Sequence, residues 1–228
     1  MNEPPLIELD HVTVTHPDGD EPLLEDVNWR LTRGQFWVLA GDQGSGKSAL
    51  LATMAGLQRP AAGTVRLKGR DLTAAPEVEQ MAWRRQIGFV FEFHGRLLHH
   101  LTVLENILLP LQYHHNEEAT DRATSLLERA GLSHLAHTLP SRLNHRLQQR
   151  VALLRALAFP TEVLFLDNPL NGLGPAGLTW WREFLQQWLA ENPLTVVATS
   201  NSSDDWAGLA TRKAALEGGR LQSVPGAN

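Results

Sequence analysis

An α/β fold is predicted by three observations. Apolar strand-like runs alternate with helix-period segments, a glycine loop lies between one such strand and one such helix, and a late apolar run ends on an aspartate. The 228 residues are enough for one globular domain that buries roughly 70–75% of its unfolded surface.

In chain order, Leu6 to Val14 and Val27 to Leu31 alternate apolar positions, and Gln35 to Ala40 is a mostly apolar run ending at Gly41; all three read as strands. Lys47 to Leu57 places Leu50, Leu51, Met54 and Leu57 on one helical face, and Gly63 to Leu67 returns to strand character after Pro60. From Leu101 to Leu139 the pattern is helical, with Leu126, Leu127 and Ala130 in register and turn residues at Gly131 and Pro140. A helix from about Asn144 to Phe159 follows, then a buried strand from Val163 to Asp167, a Trp-rich helix, and a strand from Thr195 to Thr199. Trp181, Phe184, Leu185 and Trp188 share one stripe of that helix, which is expected to pack on the sheet. No repeat or long linker divides the chain, so residues 1–228 are expected to form a single domain.

Composition excludes several classes. With no cysteine, disulfide scaffolds, Cys-based zinc sites and thiol nucleophiles drop out, and a cytosolic setting is the default. Twenty basic against twenty-five acidic residues give a net charge of −5, which supplies no general field for nucleic acid. No run reaches the ~18 apolar residues of a transmembrane helix, and the start Met1-Asn2-Glu3-Pro4-Pro5 is not a signal peptide. A membrane role is therefore expected to run through a partner. The histidine pairs His99-His100 and His114-His115 are adjacent rather than one turn apart, so they read as surface residues and not as chelates.

Gly41-Asp42-Gln43-Gly44-Ser45-Gly46-Lys47-Ser48 fits G-x-x-x-x-G-K-[ST] directly after a strand and at the start of a helix. Its glycines let successive backbone N–H groups curl round phosphate oxygens while the helix N-terminus adds its dipole. Lys47 is expected to reach the β- and γ-phosphates of a bound nucleotide, and the Ser48 hydroxyl to ligate Mg²⁺. Gly41, Gly44, Ser45, Gly46 and Ala49 complete the expected cradle, whereas Asp42 and Gln43 are read as filling the loop. Asp167, closing its apolar strand, is the second carboxylate expected to act on Mg²⁺.

The order and spacing of further segments resemble the nucleotide-binding subunit of an ATP-binding-cassette (ABC) transporter along essentially the whole chain. Gly88-Phe89-Val90-Phe91-Glu92 resembles the Q-loop strand, and Leu101-Thr102-Val103-Leu104-Glu105-Asn106 the start of the helical subdomain. Leu143 to Arg150 with Val151 to Leu157 resembles the signature motif and its helix, Leu166-Asp167-Asn168-Pro169-Leu170 Walker B, and Thr199-Ser200 the switch-histidine position. The resemblance implies a P-loop NTPase core of RecA type with an N-terminal antiparallel β subdomain and an inserted helical subdomain. Residues 1–91 and 151–228 would form the ATP-binding lobe, and residues from about 92 to 150 the helical subdomain with the signature-like segment. It also implies ATP and Mg²⁺ as ligands, Glu92 as a further Mg²⁺ ligand, and His16 as the residue that stacks on adenine.

Four departures from the family pattern bear on activity. The general-base glutamate is replaced by Asn168, whose amide cannot take a proton. The switch histidine is replaced by Ser200, which cannot carry positive charge. The signature LSGGQ reads Leu143-Asn144-His145-Arg146-Leu147, putting Cβ atoms where the two glycines stood; Asn144 remains a good helix N-cap and Arg146 reads as solvated. The D-loop aspartate position is Gly174.

These departures favour a subunit that binds ATP–Mg²⁺, hydrolyses it weakly or not at all, and couples nucleotide state to an integral membrane permease. Its other expected partner is a second ABC ATPase, or itself, in a head-to-tail dimer. The alternative is a fully active ATPase, or a regulatory cassette of another assembly; the lack of a coiled-coil insert or basic extension disfavours nucleic-acid partners. Residues Leu101 to Leu111 resemble cassettes of bacterial lipid or lipoprotein trafficking. Peripheral attachment at the cytoplasmic face of the cell membrane is the implied location.

Overall fold

The computed structural model describes residues 4–16, 19, 21–92, 94–113 and 117–224, so His114 and His115 lie outside the described residues. The alternating N-terminal runs pair as expected. β1 (Ile7–Thr15), β2 (Pro22–Leu31), β4 (Ala62–Leu67) and β5 (Arg70–Asp71) form an antiparallel sheet in the order β2-β1-β4-β5.

A second sheet runs β10-β9-β3-β8-β7-β6, built from β3 (Phe36–Gly41), β6 (Ile87–Val90), β7 (Val163–Leu166), β8 (Thr195–Ser200), β9 (Arg212–Glu217) and β10 (Arg220–Val224). β9, β3, β8, β7 and β6 are mutually parallel, and β10 closes one edge antiparallel to β9. The parallel strands are apolar on both faces because both faces are covered. Val38, Leu164, Leu166, Val196 and Ala198 face a core shared with the helical residues between Val103 and Trp188. Their period-2 neighbours Leu39, Val163, Phe165 and Val197 face a second core under the antiparallel sheet.

The helices are α1 (Lys47–Met54), α2 (Glu77–Arg84), α3 (Val103–Tyr113), α4 (Ala119–Arg129), α5 (His145–Ala158) and α6 (Pro175–Glu191). α1 buries Leu50, Leu51 and Met54, but it ends at Met54, and Leu57, expected on the same face, is 49% exposed. Gly56 at φ 68° turns the chain out of helical register before Leu57 is reached. α3 starts with a reciprocal cap: Glu105 N donates to Thr102 Oγ1 at 3.3 Å, and Thr102 N donates to Glu105 Oε2 at 2.7 Å. Trp181, Phe184, Leu185 and Trp188 of α6 are buried against the sheet side of the core.

α3 and α4 pack with α5 as the helical part of the chain. α5 runs unbroken from His145 to Ala158, across the approximate limit at 150 that the sequence suggested for the helical part. The helical part and the sheet consequently share a single apolar cluster, from Val103 and Leu127 to Val151, Trp181 and Val196.

Candidate nucleotide-binding site

Four parallel strands deliver the site. The C-terminal ends of β3, β6, β7 and β8 carry the glycine loop, Glu92, Asp167–Asn168 and Ser200–Asn201 respectively, at the side of an α/β sheet where ligands bind. A cavity of about 250 Å³ there is lined by His16, Leu23, Gln43, Gly44, Gly46, Lys47, Ser48, Ala49, Glu92, Asp167, Asn168 and Asn201.

Gly44 and Gly46 hold φ 82° and 93°, conformations that glycine adopts at no steric cost, and Gly46 leads directly into α1. A Cβ at Gly46 would also press on Leu24 Cγ at 3.0 Å. The Lys47 ammonium is buried under the loop and donates to the carbonyls of Gly41 at 2.6 Å and Asp42 at 2.7 Å. Burial pulls its pKa down, while Asp167, Glu92 and Asp42 oppose that shift. Gly41 and Ser45 lie behind the cradle rather than on its lining: Gly41 contributes a carbonyl to Lys47, and the Ser45 hydroxyl is buried. Gln43, read from sequence as loop filling, lines the cavity.

Asp167 joins the loop to the sheet. Its Oδ1 accepts from Ser48 Oγ at 2.9 Å and Thr199 Oγ1 at 3.0 Å, and Thr199 Oγ1 in turn accepts from Asn168 N at 2.8 Å. Burial raises the Asp167 pKa, and nearby Glu92 adds to the rise; the two hydroxyl bonds and Lys47 pull the other way. Both hydroxyls use the same carboxylate oxygen, so Oδ2 carries neither bond. Asp167, Ser48 and Glu92 thus bring a hard-oxygen donor set to one cavity, the kind Mg²⁺ takes, and a cation would offset the charge that burial disfavours.

Asn168 has φ 44°, a left-handed conformation that asparagine tolerates better than most residues. Its Nδ2 donates to Glu92 Oε1 at 2.7 Å, and Asn171 Nδ2 donates to the same oxygen at 3.1 Å. Buried Gln149 of α5 donates to the Glu92 carbonyl. Ser200 is buried and bonded to Asp205, off the cavity lining; Asn201 lines it instead. His16, exposed at the end of β1, lines the outer part of the cavity.

The signature-like segment lies apart from this cavity. Asn144 caps α5, its Oδ1 accepting from Leu147 N at 3.0 Å, while His145 and Arg146 occupy the first turn and Arg146 is exposed. Gly174, also exposed, precedes α6.

A family model described as ABC transporter matches residues 24–171, from β2 through the glycine loop and the α5 helix to Asn171. The chain belongs to the ABC transporter family.

Among ABC relatives, the lipoprotein-releasing system ATP-binding protein LolD 2 of Caulobacter vibrioides is 38% identical over 208 residues, covering 90% of each chain. The sulfate/thiosulfate import ATP-binding protein CysA of Mycobacterium tuberculosis is 36% identical over 208 residues, which are 90% of this chain but 58% of CysA. The chain thus spans a little over half the length of that importer subunit. A dimeric structure of MJ0796, a bacterial ABC transporter cassette, superposes with TM-score 0.86 at 31% identity, covering 97% of this chain and all of that one. MJ0796 also has a dimeric post-hydrolysis structure bound to ADP and Pi, with TM-score 0.86 at 30% identity. The α/β fold with an antiparallel N-terminal sheet is therefore that of an ABC ATP-binding cassette.

Proposed function

We propose that this cassette binds ATP with Mg²⁺, turns it over slowly on its own, and couples nucleotide state to a membrane permease. The observation that carries the reading is the Ser48–Asp167 hydrogen bond behind Lys47. It brings the loop–helix junction and the end of β7, 119 residues apart, into one oxygen-rich pocket. Gly44, Gly46 and the amides leading into α1 would cradle the phosphates, and Lys47 would exchange its two carbonyl acceptors for phosphate oxygens. Ser48, Asp167 and Glu92 would hold Mg²⁺, which when bound supplies charge neutralisation to the phosphates. His16 sits at the outer rim, where an imidazole can lie against adenine.

Slow turnover follows from two side chains. The Asn168 amide cannot accept a proton, and loss of a general base costs about 10²–10⁴ in rate. Ser200, committed to Asp205, offers the γ-phosphate no charge.

The permease reading rests on a groove of about 750 Å³ between β6 and the helical part, lined by Met81, Ile87, Phe89, Leu109, Tyr113 and Phe159 among others. Met81, Leu109 and Tyr113 are exposed apolar side chains on its walls. No helix among the described residues is long and apolar enough to cross a membrane, so attachment to the cytoplasmic face would come from a permease element seated in this groove. Likeness to a lipoprotein-releasing ATP-binding protein supports lipoprotein traffic as one cargo class for this reading.

Calorimetry tests the site: the wild-type chain should bind ATP in a Mg²⁺-dependent manner and Lys47→Ala should not. Steady turnover at ~1 s⁻¹ or above, typical of enzymes, and abolished by Lys47→Ala, would contradict the slow-turnover part.

A further inference from the structure

Glu92 and Asn168 come from loops 76 residues apart and meet through one hydrogen bond. An ionised carboxylate can only accept, so the contact fixes which way the Asn168 amide points: Nδ2 toward Glu92, Oδ1 away from it. Asn171 reinforces the arrangement by donating to the same Glu92 oxygen, which leaves Oε2 outside both bonds. The loop that carries Glu92 is held from behind as well. Gln149 donates to the Glu92 carbonyl, and Arg155 donates to the carbonyls of Gly95 and Arg96 at 2.6 and 3.0 Å.

We propose that Glu92 is a positioning residue for Asn168, the two forming one coupled carboxylate–amide unit that leaves the Asn168 carbonyl oxygen to the phosphate pocket as a water-holding acceptor. This deepens the reading of that pocket as an ATP site and rests on it. The carboxylate of the pair therefore stands at position 92 and the amide at position 168. Exchanging one partner alone defeats the unit. Asn168→Glu sets a second carboxylate against Glu92, beside the already buried Asp167, and like charges at hydrogen-bond distance repel. Glu92→Gln combined with Asn168→Glu restores a donor–acceptor pair and delivers a carboxylate where the attacking water would be held.

A double-mutant cycle tests this with four full-length chains: wild type, Glu92→Gln, Asn168→Glu and the double exchange. Two readouts are used, the melting temperature without nucleotide and single-turnover hydrolysis of ATP with Mg²⁺. Asn168→Glu alone should melt about 2–4 °C below wild type, the shift expected for a chain of this size from one unfavourable charge contact. Glu92→Gln should melt near wild type, because its amide oxygen still accepts both donors. The double exchange should recover most of the loss and hydrolyse ATP at least tenfold faster than Asn168→Glu. Additive melting shifts, or equal turnover in Asn168→Glu and the double exchange, would overturn the proposal. Failure of the wild type to bind ATP with Mg²⁺ would instead remove the ATP reading, and with it the water-holding role, while the melting cycle would still report the pairing itself.

Discussion

Gly95 sits in the loop after Glu92 at φ 58°, and a Cβ there would overlap the Ala152 side chain of α5. The close approach lets the Gly95 and Arg96 carbonyls reach Arg155, a largely buried guanidinium whose pKa is lowered by burial. Removing the fit should therefore loosen both the loop and the charge it satisfies. Gly95→Ala is expected to destabilise the chain by about 1–3 kcal/mol from overpacking, with a further ~1–2 kcal/mol from the left-handed backbone. Gly69 has φ 79° but open space around it, so Gly69→Ala carries the backbone strain without the clash. Thermal unfolding of the two variants should place Gly95→Ala clearly lower; equal melting temperatures would rule out the packing argument.

Glu162, just before β7, receives Lys68 Nζ from the turn after β4 and Arg33 Nη1 from the turn before β3, both at 2.5 Å. It thereby ties the antiparallel sheet to the parallel one at the end remote from the phosphate pocket. Partial burial pushes its carboxyl up, but the Lys68 and Arg33 bonds outweigh this and its pKa is lowered. A lowered folded pKa stabilises the fold above the unfolded value of about 4.3, and that stabilisation is lost as pH falls through the folded value. Because all three side chains are partly solvated, each pair is worth about 0.2–1 kcal/mol. Glu162→Gln should lower stability to denaturant at pH 7, and the difference from wild type should vanish at pH values below the ordinary carboxylate range. The elements this residue joins were unequally legible in the sequence. β1 to β3, β7, β8 and α5 announce themselves through alternation or long apolar periods. α2 buries only Trp83, and β9 mixes exposed and buried positions over Arg212–Glu217, so neither leaves a strong pattern. The glycine loop and Asp167 were legible because local context defines them. Asn171, Asn201 and Gln149 were not, since each enters the site by a tertiary contact with no local signal.

At the scale of the whole molecule, the two faces that a cassette offers to others differ in condition. In the proposed reading the face carrying α5 would be poorly made to grip a phosphate held by a second subunit, the role the family resemblance implies for the signature: Asn144 takes up the Leu147 amide, and side chains stand at both signature glycine positions. On that reading, two copies closing head to tail would set this face over a pocket with Asn168 at the proposed base position, twice. An intact cassette as partner would instead cover this chain's pocket with a good signature, favouring ATP-dependent closure without turnover there. The groove beside β6 sets apolar side chains among Glu77, Arg84, Arg85 and Arg155, and Leu109 stands exposed on its wall without contributing to the buried core. A charge there should cost partner binding and little else. Native affinity purification of the wild-type chain is thus expected to recover an integral membrane protein and, with ATP and Mg²⁺, a second cassette. Leu109→Glu should lose the membrane protein while binding ATP as wild type does. Recovery of self-associated chain alone, or a membrane partner indifferent to Leu109→Glu, would count against a motor half that reads nucleotide at one face and a permease at the other.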